Sequence, residues 1–405
     1  MRSEFLAVAA GIGERLATAA IWHDGRCSWV GATADPTDPW CVDYRALGPT
    51  AYDGTAGVGL FLAQLAAVTG DAGAGRTAGG ALRHALSHAA PDADGFHAGA
   101  LGVVLAAIRT AALLGEEELD AGARALLSEL RPPAGPGRCP DVIRGAAGAI
   151  LAQLALAEAL GEPSLVERAA ASGEELLDGA TVTRHGWSWR IPGLRFPHHL
   201  CGLSHGAGGI GWALAELAAA SGDARFREAA SGAFDYERSW LDERTGTWPD
   251  LRVSGQRRGR PAVSAATGTW CHGEAGIALT RLRALAVVGS DAARADAEIA
   301  LATTRRHLAG LVEREIEDLS LCHGAAGAAE ALTQDREGSD EGLALGHAAL
   351  EQHAATGWPC SIPYQTVPGL LQGLSGIGWW FLRLHDCRIP SPLATWGLTA
   401  LPGRA

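Results

Sequence analysis

The sequence predicts an all-α protein, an (α/α)7 toroid in which seven helical hairpins form a double layer, as one domain over residues 1–405. Three observations predict it. A G-x-x-G motif followed by an apolar run recurs seven times along the chain. In five repeats a further glycine falls 13 residues after the second motif glycine. The two helices predicted for each repeat also differ in kind: the first is apolar nearly all round, the second amphipathic.

The motifs are DGTAGVGLFL, HAGALGVVLA, IRGAAGAILA, SHGAGGIGWA, CHGEAGIALT, CHGAAGAAEA and LQGLSGIGWW, with first glycines at Gly54, Gly99, Gly145, Gly206, Gly273, Gly324 and Gly373. Each marks the start of an inner helix, where glycine lets backbones approach closely. The later glycines, Gly70, Gly115, Gly161, Gly222 and Gly289, end those helices in the left-handed conformation. Asp71, Glu116, Glu162, Asp223 and Ser290 follow them as N-caps of the second helices, with Glu the weaker cap. A segment such as ARFREAASGAFDYERSWLDE then supplies a surface helix. One buried and one surface helix per repeat makes two concentric layers. An open solenoid would give the same pattern, and ring closure is the expected form. The spacings of 45, 46, 61, 67, 51 and 49 residues leave insertions near 180–200 and 242–269. They carry Trp187, Trp189, Arg190, Trp248 and Arg252, which read either as a binding face or as surface decoration. The N-terminus, with Glu4, Glu14 and Arg15 at helical spacing, reads as an amphipathic helix rather than a signal peptide.

Composition narrows the function. With 405 residues, 47% of them hydrophobic, the chain can bury a large core. A net charge of −12 argues against a nucleic-acid partner, whose footprint is basic. No apolar run is long enough for a membrane span. The eight cysteines (Cys27, Cys41, Cys139, Cys201, Cys271, Cys322, Cys360 and Cys387) are too sparse for a disulfide scaffold, and a reducing, cytoplasmic setting is expected. A closed ring needs no second copy, so a monomer is expected.

Chemistry concentrates just before three of the motifs: Ser204-His205-Gly206, Cys271-His272-Gly273 and Cys322-His323-Gly324. A helix N-terminus offers unpaired N–H groups and a positive dipole end, which favour a thiolate. Two cysteines and a histidine form one of the ligand sets of catalytic zinc, which keeps its fourth position open. Cys271, Cys322 and His323 fit that set, and the open position suits an incoming thiol, which coordination deprotonates. The plainer alternative is two small buried cysteines beside capping histidines. His205, at the equivalent point of the fourth repeat, suits a general acid; otherwise it is a capping histidine. Asp141 precedes the third motif, where it would orient a histidine or engage substrate. Cys201, Cys360 and Cys387 read as packing residues, His97 as structural, and His198 and His199 as solvated.

At these residues the sequence resembles the lanthionine synthetase C-like (LanC) family, through WCHGEAGIAL and LCHGAAG and through all seven repeats. The resemblance implies an (α/α)7 barrel, a zinc held by Cys, Cys and His, and Michael-type cyclisation of dehydrated peptides. It puts the zinc ligands on Cys271, Cys322 and His323, the catalytic histidine on His205 and the catalytic aspartate on Asp141. YDGTAGVGLFLAQLAAVTGD, WPDLR and the C-terminal LRL…P tail look like the cyclase half of the bifunctional class II enzymes (LanM). The chain is then either a domain excised from such an enzyme or a stand-alone cyclase beside a separate dehydratase. His272 departs from the residue usual in single-domain cyclases, and the family's active-site arginine and glutamine find no matched position. The expected substrate is a dehydrated precursor peptide, whose cysteines add to dehydroalanine or dehydrobutyrine. Addition of glutathione to dehydroamino acids, a peptide-binding scaffold with structural zinc, and a prenyltransferase-like ring are the alternatives. The last lacks a carboxylate ligand and a partner-subunit signature.

Overall fold

The computed structural model describes residues 2–34, 42–131, 137–194, 196–252, 256–257, 260–261, 268–333, 340–363 and 365–394. In chain order, α1 (Ser3–Ala19) leads into the strands β1 (Ile21–His23), β2 (Arg26–Ser28), β3 (Val30–Ala34) and β4 (Val42–Ala46). Then follow α2 (Thr55–Thr69), α3 (Ala72–His88), α4 (Ala100–Leu114), α5 (Glu117–Glu129), α6 (Ala146–Leu160), α7 (Ser164–Asp178), β5 (Thr181–Thr183) and β6 (Gly186–Ser188). The remaining elements are α8 (Ala207–Ser221), α9 (Ala224–Arg238), β7 (Gln256–Arg257), β8 (Arg260–Pro261), α10 (Glu274–Val288), α11 (Asp291–Val312), α12 (Ala325–Thr333), α13 (Asp340–His353) and α14 (Leu374–His385). Among the described residues the strands pair only as antiparallel hairpins between chain neighbours.

The glycine punctuation acts as the sequence predicts. Gly54, Gly99, Gly145, Gly206, Gly273 and Gly373 are extended residues immediately before inner helices. Gly70, Gly115, Gly161, Gly222 and Gly289 end the helices with φ between 60° and 75°. The second motif glycine has a different task. A Cβ on Gly209 would run into the Leu203 carbonyl, and one on Gly276 into the Trp270 carbonyl. The bare backbone is what lets each pre-helix loop lie against the first turn of its own helix.

The caps divide by chemistry. Asp71 accepts from the Gly73 and Ala74 amides, and Asp223 from the Arg225 amide. Glu116 makes no side-chain cap and pairs with Arg83 at 3.0 Å instead. Glu162 is not the cap at all; Pro163 holds that position on α7. A glutamate is one methylene too long to fold back onto its own helix start as aspartate does.

The chain packs as two compact units. The first gathers α1 to α5, most of α12, α13 and α14. Here α2 is buried continuously from Thr55 to Ala66 and packs against α4 and α14. α1 packs against α14, with Phe5 stacked on Phe381 at 5.9 Å. The seventh repeat therefore takes its outer helix from the other end of the chain. The second unit gathers α6 to α10 and most of α11; α8 is buried from Ala207 to Ala215 and packs against α6 and α10.

A hairpin motif recurs in both units. After α1, Trp29 at the end of β1–β2 donates its indole N–H to the Leu16 carbonyl at 2.8 Å. After α7, Trp189 at the end of β5–β6 does the same to Leu176 at 2.7 Å. Each hairpin also lays a tryptophan on a glycine of the next outer helix, Trp22 on Gly80 and Trp187 on Gly232. The tryptophans of the first insertion are thus fixed in packing. Trp248 of the second is fully buried, its indole N–H donating to the Glu237 carbonyl.

Candidate metal centre and acid–base pair

The pre-helix loops carry the site, and backbone hydrogen bonds string them together. In the first unit the Cys322 N–H donates to the Leu371 carbonyl, Leu371 to Tyr52, and Tyr52 to His97, each at 2.8 Å. In the second, Val142 donates to Ser204 at 3.1 Å and Ser204 to Cys271 at 3.0 Å. Tyr52, His97, Ser204, Cys271, Cys322 and Leu371 each stand two residues ahead of their repeat's first motif glycine. The repeat thus sets one position per loop, and Ser204, Cys271 and Cys322 stand there, each followed by a histidine.

One cluster can hold a metal among the described residues. The donor atoms of Cys271, Cys322 and His323 lie within 4.8 Å of one another. The sulfur of Cys322 and Nε2 of His323 are 3.6 Å apart. Donors about 2.0–2.3 Å from a tetrahedral zinc stand roughly 3.3–3.8 Å from each other. The set therefore fits zinc with a small contraction, and two thiols with an imidazole are its preferred chemistry. Both cysteines are buried while His323 is exposed, so one side of the cluster opens to solvent.

His205 and Asp141 form the second feature. His205 Nδ1 and Asp141 Oδ2 lie 2.5 Å apart, with Asp141 fully buried and the histidine side chain 27% exposed. Burial raises the Asp141 carboxyl, but the hydrogen bond and charge of His205, with the Arg144 amide, outweigh it and hold it below its ordinary value. The structure thus brings together two of the sequence-predicted residues, His205 and Asp141.

His272 sits beside the pair, its ring 5.6 Å from that of His205. It is wedged between the Ser204 hydroxyl and the Cys201 carbonyl, each at 3.2 Å. Burial lowers its pKa to about 4, so it is a neutral packing histidine near pH 7. Cys201 and Cys360 are buried as packing residues, and Cys387 is half-buried. His97 is buried. His198 is exposed against Trp240, whereas His199 is half-buried rather than solvated: Nδ1 meets Ser188 Oγ at 2.8 Å, and its carbonyl accepts from the Tyr236 hydroxyl.

Sequence reasoning misses two further features. The tyrosine hydroxyl of Tyr52 donates to the Cys322 sulfur at 3.0 Å. Beneath the loop that carries His205, buried Glu237 accepts from the Gly202 amide at 2.5 Å and pairs with buried Arg281 at 2.7 Å. The available signal was Arg281 itself, a charge in the middle of an apolar inner helix.

The fold and these pre-helix loops together define a helical-hairpin protein with a thiol-and-imidazole centre. Residues 45–393 match the family model of lanthionine synthetase C-like proteins, and the chain belongs to that family. Nisin cyclase is similar in structure, with a TM-score of 0.62 and 16% identity, over 86% of this chain and 91% of that one. That likeness gives the fold, the (α/α)7 toroid of seven hairpins. A sugar epimerase from a ruminal bacterium is similar at a TM-score of 0.50 and 12% identity, over 96% of this chain and all of that one. A GH76 α-mannanase from Bacteroides thetaiotaomicron matches at 0.50 and 9%, over 96% of each chain. No curated protein matches the sequence. Sugar enzymes share the architecture, so function rests on the loop residues. No helix among the described residues is long and apolar enough to cross a membrane.

Proposed function

We propose that this protein is a zinc-dependent lanthionine cyclase, which adds cysteine thiols of a dehydrated precursor peptide to dehydroalanine or dehydrobutyrine. The convergence of Cys271, Cys322 and His323 within 4.8 Å carries the reading; membership in the lanthionine synthetase C-like family supports it.

Cys271, Cys322 and His323 would hold the metal. When bound, zinc supplies the positive charge that keeps an incoming thiol deprotonated near pH 7. The remaining work falls to the chain. Asp141 accepts the Nδ1–H of His205, which fixes the tautomer and leaves Nε2 as the working nitrogen. The partly exposed ring takes up the proton the thiol gives up. As the sulfur bonds to the β-carbon, the alkene π pair moves to the α-carbon, and His205 returns a proton there. One C–S and one C–H bond form, and no net proton is gained or lost. A dehydratase must supply the alkene, as a partner or as a fused domain.

Cyclisation leaves the peptide mass unchanged, so the test is loss of thiol alkylation when zinc-loaded protein meets a dehydrated cysteine peptide. Thioether formation that depends on the protein is expected. Thiols that stay fully alkylatable would contradict the proposal, and a glutathione adduct formed only with the protein would redirect it to intermolecular addition.

A further inference from the structure

We propose that Tyr52 is a positioning residue of the metal centre, its tyrosine hydroxyl holding the Cys322 sulfur through an O–H···S hydrogen bond. This inference rests on the zinc reading of the cluster.

Three observations carry it. The hydroxyl donates to Cys322 Sγ at 3.0 Å. In the repeat register Tyr52 occupies the station that Cys271 and Cys322 occupy in their own repeats, two residues before the first motif glycine. The backbone ladder then fixes the distance to be bridged: Cys322 donates to Leu371, and Leu371 to Tyr52, each at 2.8 Å. Chains paired in this way lie about 5 Å apart, so Tyr52 stands about 10 Å of backbone from Cys322. A long side chain spans that gap, and tyrosine ends it with a donor.

The chemistry explains the use of a donor. Cys271 and Cys322 would each give a bound metal a sulfur, and an incoming thiol would have to be told apart from them. A hydrogen bond to the Cys322 sulfur draws electron density from it and so would lower that sulfur's own nucleophilicity. It also fixes the orientation of that ligand, as donors behind metal ligands do.

The test is cobalt substitution of wild type and Tyr52→Phe, which removes the hydroxyl and keeps the ring. The readouts are the sulfur-to-cobalt charge-transfer band and zinc affinity by chelator competition, with far-ultraviolet circular dichroism as the check on fold. The proposal expects the band at lower energy in Tyr52→Phe and zinc bound about 10-fold more weakly. A sulfur-to-cobalt band and zinc affinity identical to wild type would overturn the role of Tyr52 and leave the zinc reading standing. A wild-type protein with no such band would overturn both.

Discussion

His205 points one nitrogen at a carboxylate sealed from water and leaves the other side of its ring to solvent. Replacing it by asparagine should lower the cyclisation rate by about 10²–10⁴-fold, the usual range for a general acid. Zinc content should stay at the wild-type level, because His205 is outside the donor cluster; a parallel fall in zinc would mean the residue acts on the metal. Asp141 gives a pH signature. Its folded carboxyl is held below the ordinary value, so the stability it contributes is present above about pH 4 and is lost as pH falls through the folded value. In metal-free protein, the gap in unfolding free energy between wild type and Asp141→Asn should shrink as pH falls below about 4. Urea titrations at several pH values measure it, and a gap that widens in acid would reverse the sign. The cysteines and histidines of the candidate site stand out in the sequence because repetition places them at equivalent stations. Tyr52 was not legible, because its partner lies 270 residues away. Nor was the burial of His272, which the same C-H-G spelling hides beside an exposed His323.

At the scale of elements, glycine does two separable jobs. Gly222 ends α8 with φ +75° and open space around it, so only the left-handed backbone opposes a side chain. Gly222→Ala should cost about 1–2 kcal/mol in urea unfolding and leave the rate of the folded enzyme unchanged. Gly209 lies against the Leu203 carbonyl, two residues from His205. Gly209→Ala should cost about 1–3 kcal/mol and also slow cyclisation, because the loop must shift to admit the methyl group. Equal rates in the two variants would show that the loop position does not matter to His205. The helix starts and stops were readable because glycine and aspartate act locally, within a few residues. The outer partner of the seventh repeat was not, since α1 and α14 stand at opposite ends of the sequence. The Trp29 and Trp189 hairpins read in the sequence only as loop content; their role depends on a helix carbonyl 13 residues back.

At the scale of the whole molecule, the repeat makes the scaffold and a few polar departures from it supply the candidate site. Cys271 and Cys322 are 51 residues apart in sequence, and a single ion shared with His323 would fasten both loops. Zinc should therefore stabilise the folded chain by mass action, raising its melting temperature with free zinc in wild type and not in Cys322→Ala. The most direct measurement is metal content of protein purified without chelators, by inductively coupled plasma mass spectrometry, for wild type and Cys322→Ala. About one zinc per chain is expected in wild type, with most of it lost in the variant. Folded wild-type protein without zinc, or a variant that keeps its full zinc, would contradict the assignment of Cys271, Cys322 and His323 and with it the proposed chemistry.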